Sequence, residues 1–242
     1  MKYENTVEGI FLKRENRFIA KVEIEGEIVK AHVPNTGRCK ELFIPGVRAV
    51  FTKHNNPNRK TKYTLIHIWK EALHSFVNIV SVSANTVAKE GLLQGKFPFL
   101  IQEDEIFTEK TYGNSRFDFY INSKDFHGYM EVKGVTLEEN GLAKFPDAPT
   151  LRGVKHIKEL IKVKESGLDA GIIFIMQMGP IKEFSPHTKM QLEFTNTLLE
   201  AKNKGVEIYA FDSLVTKNEI VLQSKVPINL GVTYEDKTGK KK

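Results

Sequence analysis

Cysteine is almost absent from this chain: 242 residues contain one, Cys39. An intramolecular disulfide and a cysteine-based metal cluster are therefore excluded, and one reduced thiol is the usual pattern of a cytoplasmic protein. Long apolar runs are missing as well; none approaches the roughly 20 residues that span a bilayer. The opening "MKYENTVEGIFLKRENRF" lacks the uninterrupted apolar stretch of a signal peptide. These absences predict a cytoplasmic protein with no membrane partner. The histidines at 32, 54, 67, 74, 127, 156 and 187 show no zinc-ligand spacing. No glycine-rich phosphate loop or serine-nucleophile elbow is present, which weighs against NTPase and esterase chemistry. No internal repeat is visible.

Acidic residues are missing from one long interval. Between Leu42 and Lys70 there is no Asp or Glu, while Arg48, Lys53, Arg59, Lys60, Lys62 and Lys70 all fall there. The whole chain carries 36 Lys and Arg against 30 Asp and Glu, a net charge of +6. That excess favours a polyanionic partner. The segment "TKHNNPNRKTKY" reads as a hairpin tip displaying Lys53, Arg59, Lys60 and Lys62 beside Phe51, Tyr63 and Trp69. A basic groove with aromatic stacking surfaces binds nucleic acid, although the same residues also describe a solvated turn over a barrel core. "PNTGR" predicts a tight turn with Gly37 at positive φ, where backbone N–H groups at Thr36 and Gly37 and the side chain of Arg38 can grip a phosphate. The expected nucleic-acid contacts are thus Arg38, Lys53, Arg59, Lys60 and Lys62.

The first 82 residues read as all-β. Five runs rich in Val, Ile, Phe and Thr ("TVEGIFLKR", "RFIAKVEIEG", "EIVKAHV", "VRAVFTKH", "TKYTLIHIW") are separated by turn residues, with "RCKELF" supplying one helical turn between the third and fourth. This is the layout of an OB-like five-stranded barrel. From residue 83 to 230 the pattern becomes α-β-β-α-β-α-β, an α/β domain with a mixed central sheet. Asn85 is expected to cap its first helix; Thr150 and Gly167 bound the second. Residues 231–242, "GVTYEDKTGKKK", read as a disordered basic tail.

Within the α/β part, "SRFDFYINSKDFHGYMEVKG" places Asp118, Glu131 and Lys133 in otherwise apolar, strand-like runs. Residues two apart on a strand share a face, so Glu131 and Lys133 point together, and a hairpin can bring Asp118 to the same side. Burying an unpaired charge costs several kcal/mol, so such a set needs a reason. Two carboxylates suit Mg²⁺ or Mn²⁺, which keeps other positions for water and phosphate oxygen. A lysine two residues on can assist the water or stabilise charge on the phosphate. The spacing D-x₁₂-E-x-K also fits a solvated hairpin face with paired charges. It resembles the core of the PD-(D/E)xK nuclease superfamily. In that arrangement an acid on the preceding helix often assists, the position held here by Glu90, and Gln177 can reach the site from a neighbouring strand.

"HVPNTGR", "YGNSRFDF", "EVKGVTL" and "FPDAPTLRGVKH" occur in that order. Together they resemble the sugar fermentation stimulation protein A family over residues 1–230. The resemblance implies an OB-like domain joined to a PD-(D/E)xK nuclease-like domain, DNA binding, and a link to maltose metabolism. It implies Asp118, Glu131 and Lys133 as the nuclease core, with Asp118 and Glu131 on the metal and Glu90 in support. The leading expectation is Mg²⁺-dependent cleavage of nucleic acid, DNA in the first place. The alternative is a DNA-binding regulator whose nuclease-like fold does not cut; a third is a small-ligand or carbohydrate binder. The oligomeric state is left open, a homodimer among the options.

Overall fold

The structure is a computed structural model that describes residues 1–35 and 37–231. Thr36 and most of the expected basic tail lie outside the described residues. Six strands build the first half: β1 (Thr6–Arg14), β2 (Ile19–Ile24), β3 (Glu27–His32), β4 (Arg48–Lys53), β5 (Tyr63–Lys70) and β6 (Ser75–Asn78). Their order is β3-β2-β1-β4-β5-β6, and a short parallel pairing of β3 with β5 closes five of them into a barrel. The segment 38–43 forms no helix. Leu42 and Phe43 both donate their N–H to the Cys39 carbonyl, and Pro45 follows at once. The strict alternation expected along β5 is also broken. Opposite Val50 and Phe51 of β4 stand His67 and Leu65, so Ile66 is an extra residue. This bulge turns Leu65 and Ile68 into the barrel and sends Ile66 to the second core.

In the second half follow α1 (Ser83–Leu93), β7 (Ile106–Tyr112), β8 (Ser115–Asn122), β9 (His127–Val135), β10 (Leu137–Glu139), β11 (Leu142–Phe145), α2 (Leu151–Glu165), β12 (Asp169–Met176), β13 (Glu183–Pro186), α3 (Leu192–Asn203), β14 (Glu207–Val215) and β15 (Ile220–Lys225). The main sheet runs β15-β14-β12-β9-β8-β7, with β9, β12 and β14 parallel and the outer strands antiparallel. β12 is buried on both faces: Ile172, Phe174 and Met176 join the core under α2 and α3, whereas Ile173 and Ile175 join the one under α1. Thr150 caps α2 through a hydrogen bond from the Gly153 N–H (2.9 Å), and Gly167 follows it at φ +89. Asn85 lies inside α1, which starts at Ser83 with no side-chain cap. No helix of the described residues is long and apolar enough to cross a membrane.

The halves are tied by buried polar contacts. Lys70 at the end of β5 pairs with the buried Glu138 of β10 at 2.5 Å. The Gln177 amide nitrogen donates to the Asn78 side chain (2.7 Å) and to the Val80 carbonyl (3.0 Å). One continuous hydrophobic core includes both the barrel interior and the α2 face of the main sheet.

Candidate active site

β8 and β9 are in register from Asn122↔His127 to Phe119↔Met130, and the ladder stops there. On its other edge β9 stays paired with β12 through Val135. The Val132 N–H has therefore lost its neighbouring strand, and the Asp118 carboxylate replaces it, accepting at 2.7 Å. The second Asp118 oxygen accepts from the Asn85 amide of α1 at 2.6 Å. Asp118 thus fills the wedge where two strands part, instead of standing on a flat hairpin face.

Glu131 and Lys133 share a face, as their spacing requires. Lys133 Nζ lies 2.5 Å from Glu131 Oε1, and His156 Nδ1 of α2 lies 2.6 Å from the same oxygen. Both Glu131 and His156 are buried, and Arg152 Nε donates to the far ring nitrogen at 3.4 Å. Glu131 Oε2 is buried with no partner at all. Such an orphan acceptor is costly and calls for a reason.

The two carboxylates respond in opposite directions. Burial, then the charge of Glu131, pushes the Asp118 carboxyl above its ordinary range against the pull of Val132, Asn85 and Lys133. Burial also pushes Glu131 up, but the His156 hydrogen bond and the Lys133 charge outweigh it and leave Glu131 below its ordinary range.

Among the described residues no group of three or more His, Cys, Asp or Glu is arranged to hold a metal. A cation here has two carboxylates: Asp118, and Glu131 through its orphan Oε2. That set fits Mg²⁺ or Mn²⁺, which retain water at the remaining positions. Glu90 does not join it. Its carboxylate is paired with the Met1 amino group at 2.5 Å, while Asn85 is the α1 residue that meets Asp118. Five residues separate the two on α1, roughly 140° around its axis, so one helix cannot aim both at the cluster. Gln177 is spent on the junction between the halves, although its Oε1 closes against Gly134: a Cβ at Gly134 would stand 2.2 Å from it.

Beyond Lys133 the chain enters a cleft of about 410 Å³ between the halves. Gly134 to Leu137, Lys144 to Thr150 and Gln177 form one wall; Asn35, Gly37 and Cys39 form the other. Gly37 does not take a positive φ; the left-handed residue of that turn is Cys39, at φ 39. Glycine is needed at 37 for close approach, because a Cβ there would lie 2.9 Å from Asn35 Oδ1 and 3.2 Å from Asp147 Oδ2. Burial, with the nearby Glu41 and Asp147 charges, pushes the Cys39 thiol up to about 12.

The basic hairpin departs from expectation in one respect. Phe51 and Tyr63 are buried in the barrel, and Trp69 is covered by Phe76 and by the Arg48 guanidinium at 5.0 Å. Aromatic stacking surfaces are thus missing from the tip. Its cations are present: Arg59 donates to Thr64 Oγ1 (3.1 Å), Lys62 stands 5.8 Å from the Tyr63 ring centre, and Lys60 is exposed. Lys53 is half-buried at the end of β4, and Arg38 is exposed near the cleft. Along α2 the basic stripe is used locally: Lys155 binds the Asn114 carbonyl, Lys158 pairs with Glu193 and Lys162 with Glu159. His156 was missed by spacing rules for metal sites, yet a signal existed. It sits with Gly153, Ile157 and Leu160 at i, i+3, i+4, i+7, the buried phase of the helix.

Two family models match the chain. Residues 12–79 match the SfsA N-terminal OB domain, and residues 82–219 match the sugar fermentation stimulation protein RE domain. A sugar fermentation stimulation protein homolog of Clostridium acetobutylicum is 47% identical, over 95% of this chain and 100% of its own. The Clostridium tetani homolog is 46% identical, over 94% and 98% respectively. Among solved structures, that of Pyrococcus furiosus SfsA in complex with Ca²⁺ superposes with a TM-score of 0.82 at 30% identity, covering 95% of this chain and 98% of that one.

Proposed function

This chain belongs to the sugar fermentation stimulation protein family, and from that premise we propose that it binds nucleic acid, DNA foremost, and hydrolyses its phosphodiester bonds at Asp118, Glu131 and Lys133. The observation that carries this reading is the state of Glu131: buried, held by Lys133 and His156 through one oxygen, and orphaned at the other beside Asp118. A salt bridge serving stability alone has no use for an unpaired buried oxygen. The Pyrococcus furiosus relative is in complex with Ca²⁺, and here the carboxylates of Asp118 and Glu131 suit Mg²⁺ or Mn²⁺. Bound there, the ion supplies an activated water and offsets charge on the phosphate.

The chain's own groups supply the rest. His156 and Lys133 fix the Glu131 carboxylate through Oε1 and leave Oε2 free. Val132 N–H and Asn85 hold Asp118 in the wedge. The Lys133 ammonium, already at the cluster, sits where negative charge grows on a phosphate entering from the cleft. A second reading, a DNA-binding regulator of sugar metabolism that does not cut, is favoured by one observation: the Lys133 ammonium and the His156 ring both engage the same Glu131 oxygen. Incubation of duplex DNA, single-stranded DNA and RNA with Mg²⁺, Mn²⁺ or EDTA separates the two. Metal-dependent cleavage, lost with Lys133→Ala, supports the nuclease; binding without cleavage under every condition supports the regulator.

A further inference from the structure

One end of the barrel gathers three turns. Arg14↔Ala20 brings the β1–β2 turn there, Ile19↔His32 brings the exit of β3, and His32↔Thr64 brings the β4–β5 turn. At this end lies a pocket of about 520 Å³ whose walls include Arg14, Arg17, Arg38, Lys40 and Phe43 and no acidic residue. Two acids adjoin the lining in sequence: Glu15 is occupied by Lys30 at 3.0 Å and Lys21 at 3.7 Å, and Glu41 is half-buried and not part of the pocket wall.

The four cations have different roles. Arg14 lies over the Phe43 ring at 4.7 Å and donates to the carbonyls of Asn35 (2.5 Å), Gly37 (2.6 Å) and Arg17 (2.6 Å). Its two terminal nitrogens are engaged in folding two loops against each other. Burial foremost, and the charge of Arg17 in addition, push its pKa below the usual value. Arg17, Arg38 and Lys40 are exposed, and among the described residues their side chains make no hydrogen bond or ion pair. Three exposed cations held around a fourth, with no acid in the pocket wall, form a field that an anion relieves. Gly37 lines both this pocket and the interdomain cleft. Past Gly37 the lining is of mixed sign, with Lys144 and Asp147 in the cleft wall, so the grip lies in the pocket and the positioning in the cleft.

Resting on the nucleic-acid reading above, we propose that this pocket seats the phosphodiester backbone of a strand on Arg17, Arg38 and Lys40, and that the strand continues past Gly37 toward Glu131 and Lys133. The hairpin cations at Arg59, Lys60 and Lys62 then lie at the periphery.

The test is fluorescence anisotropy in EDTA, with a labelled oligonucleotide as single strand and as duplex, across a salt series. The Arg17→Ala/Arg38→Ala/Lys40→Ala variant should bind about tenfold or more weakly near 0.1 M salt. Its log–log salt slope should shrink by roughly 2 units on a single strand and nearly 3 on a duplex, one contact's worth per lost cation. A companion Arg17→Lys/Arg38→Lys variant keeps the charge and should retain most of the affinity. Thermal melting of both should match wild type, since none of the three side chains holds another residue. If wild type binds and the triple variant binds with the same affinity and slope, the seat is wrong and the nucleic-acid reading stands. If wild type binds neither form at low salt, both fall together.

Discussion

The barrel buries His67 and the α/β unit buries His156, and the surroundings of the two rings differ at every contact. His67 meets Tyr3 edge-on at 5.2 Å, takes a hydrogen bond from the Asn78 amide at 3.2 Å, and leaves Nε2 without a partner. No carboxylate reaches it, and burial alone drives its pKa down to about 3. His156 stands 2.6 Å from a buried carboxylate that also carries a lysine. The same contrast holds for charge at large. The barrel keeps its cations on exposed turns, three of them unpaired around one pocket, and a neutral ring inside. The α/β unit pairs its basic stripe locally and puts its unusual charges in the interior. Exposed unpaired cations attract a polyanion with little regard to sequence; buried, oriented charges act on one bond.

Breaking the buried cluster should have the largest effect. Lys133→Ala removes the ammonium from Glu131 and from the approaching phosphate, and should lower cleavage on the order of 10²–10³-fold while leaving binding nearly intact. Lys133→Arg keeps the charge without the compact ammonium and should rescue little. Steady-state cleavage rates beside anisotropy on the same preparations decide this. If wild type cuts and Lys133→Ala cuts equally well, the buried charges belong to structure and the contrast between the halves dissolves.

The neutral state of His67 yields the next effect, on stability. Its folded pKa, about 3, lies below the unfolded value near 6.5. Between those limits the unfolded chain takes up a proton that the folded chain refuses. The stability linked to this ring is therefore complete above about pH 6.5 and is lost as pH falls, at up to about 1.4 kcal/mol per pH unit. At pH 5 the loss is about 2 kcal/mol. Urea unfolding at pH 7 and pH 5 should show a difference that shrinks by about this amount in His67→Gln. An unchanged difference would mean that the buried ring already carries the proton in the folded chain.

Much of this was legible in the sequence, and the failures have physical causes. The first five strands were readable because Val, Ile and Phe runs are punctuated by turn residues, and β12 because a strand covered on both faces has no polar residue to confuse it. β6, β7, β10, β11, β13 and β15 lie outside the strands that the sequence pattern predicts. β6 and β13 are four residues each, and β7 is an edge strand whose "IFTEKTY" is largely exposed, so no apolar alternation marks it. Glu131 and Lys133 were readable as a shared face because strand phase is strict. Asp118 was found for a partly wrong reason, since its place depends on where the β8–β9 ladder ends, a tertiary fact. Glu90 pairs with the Met1 amino group while Asn85, on another side of α1, meets Asp118, a matter of packing that spacing does not carry, and Phe51 and Tyr63 belong to the barrel's inside.

A smaller expected effect concerns the wedge. Asp118→Asn keeps the size and the contact with Val132 but removes one of two carboxylates, and calorimetry should show Mg²⁺ or Mn²⁺ affinity lower by about tenfold or more. Equal affinity in wild type and variant would sink the shared site. It would also leave the buried, unpartnered Oε2 of Glu131 without a role in metal binding.

The smallest effect is expected from the hairpin, and it bears on whether the exposed cations act as one surface. Arg59 spends a donor on Thr64 and Lys62 leans toward the Tyr63 ring, which leaves Lys60 as the least engaged of the three. The tip has no acid to mask it, so it still adds to the field at that end of the barrel. Arg59→Ala/Lys60→Ala/Lys62→Ala should therefore weaken binding to unrelated sequences about equally, by roughly threefold, with a salt slope shallower by about one unit. The Arg17, Arg38 and Lys40 variant should lose more on both counts, because those side chains have no competing partner and converge on one pocket. Equal losses from the two triple variants would show that the turns act as a single diffuse patch, with charge number mattering and pocket geometry not. A larger loss from the hairpin would reverse the order and move the strand's grip from the mouth of the interdomain cleft to the far turn.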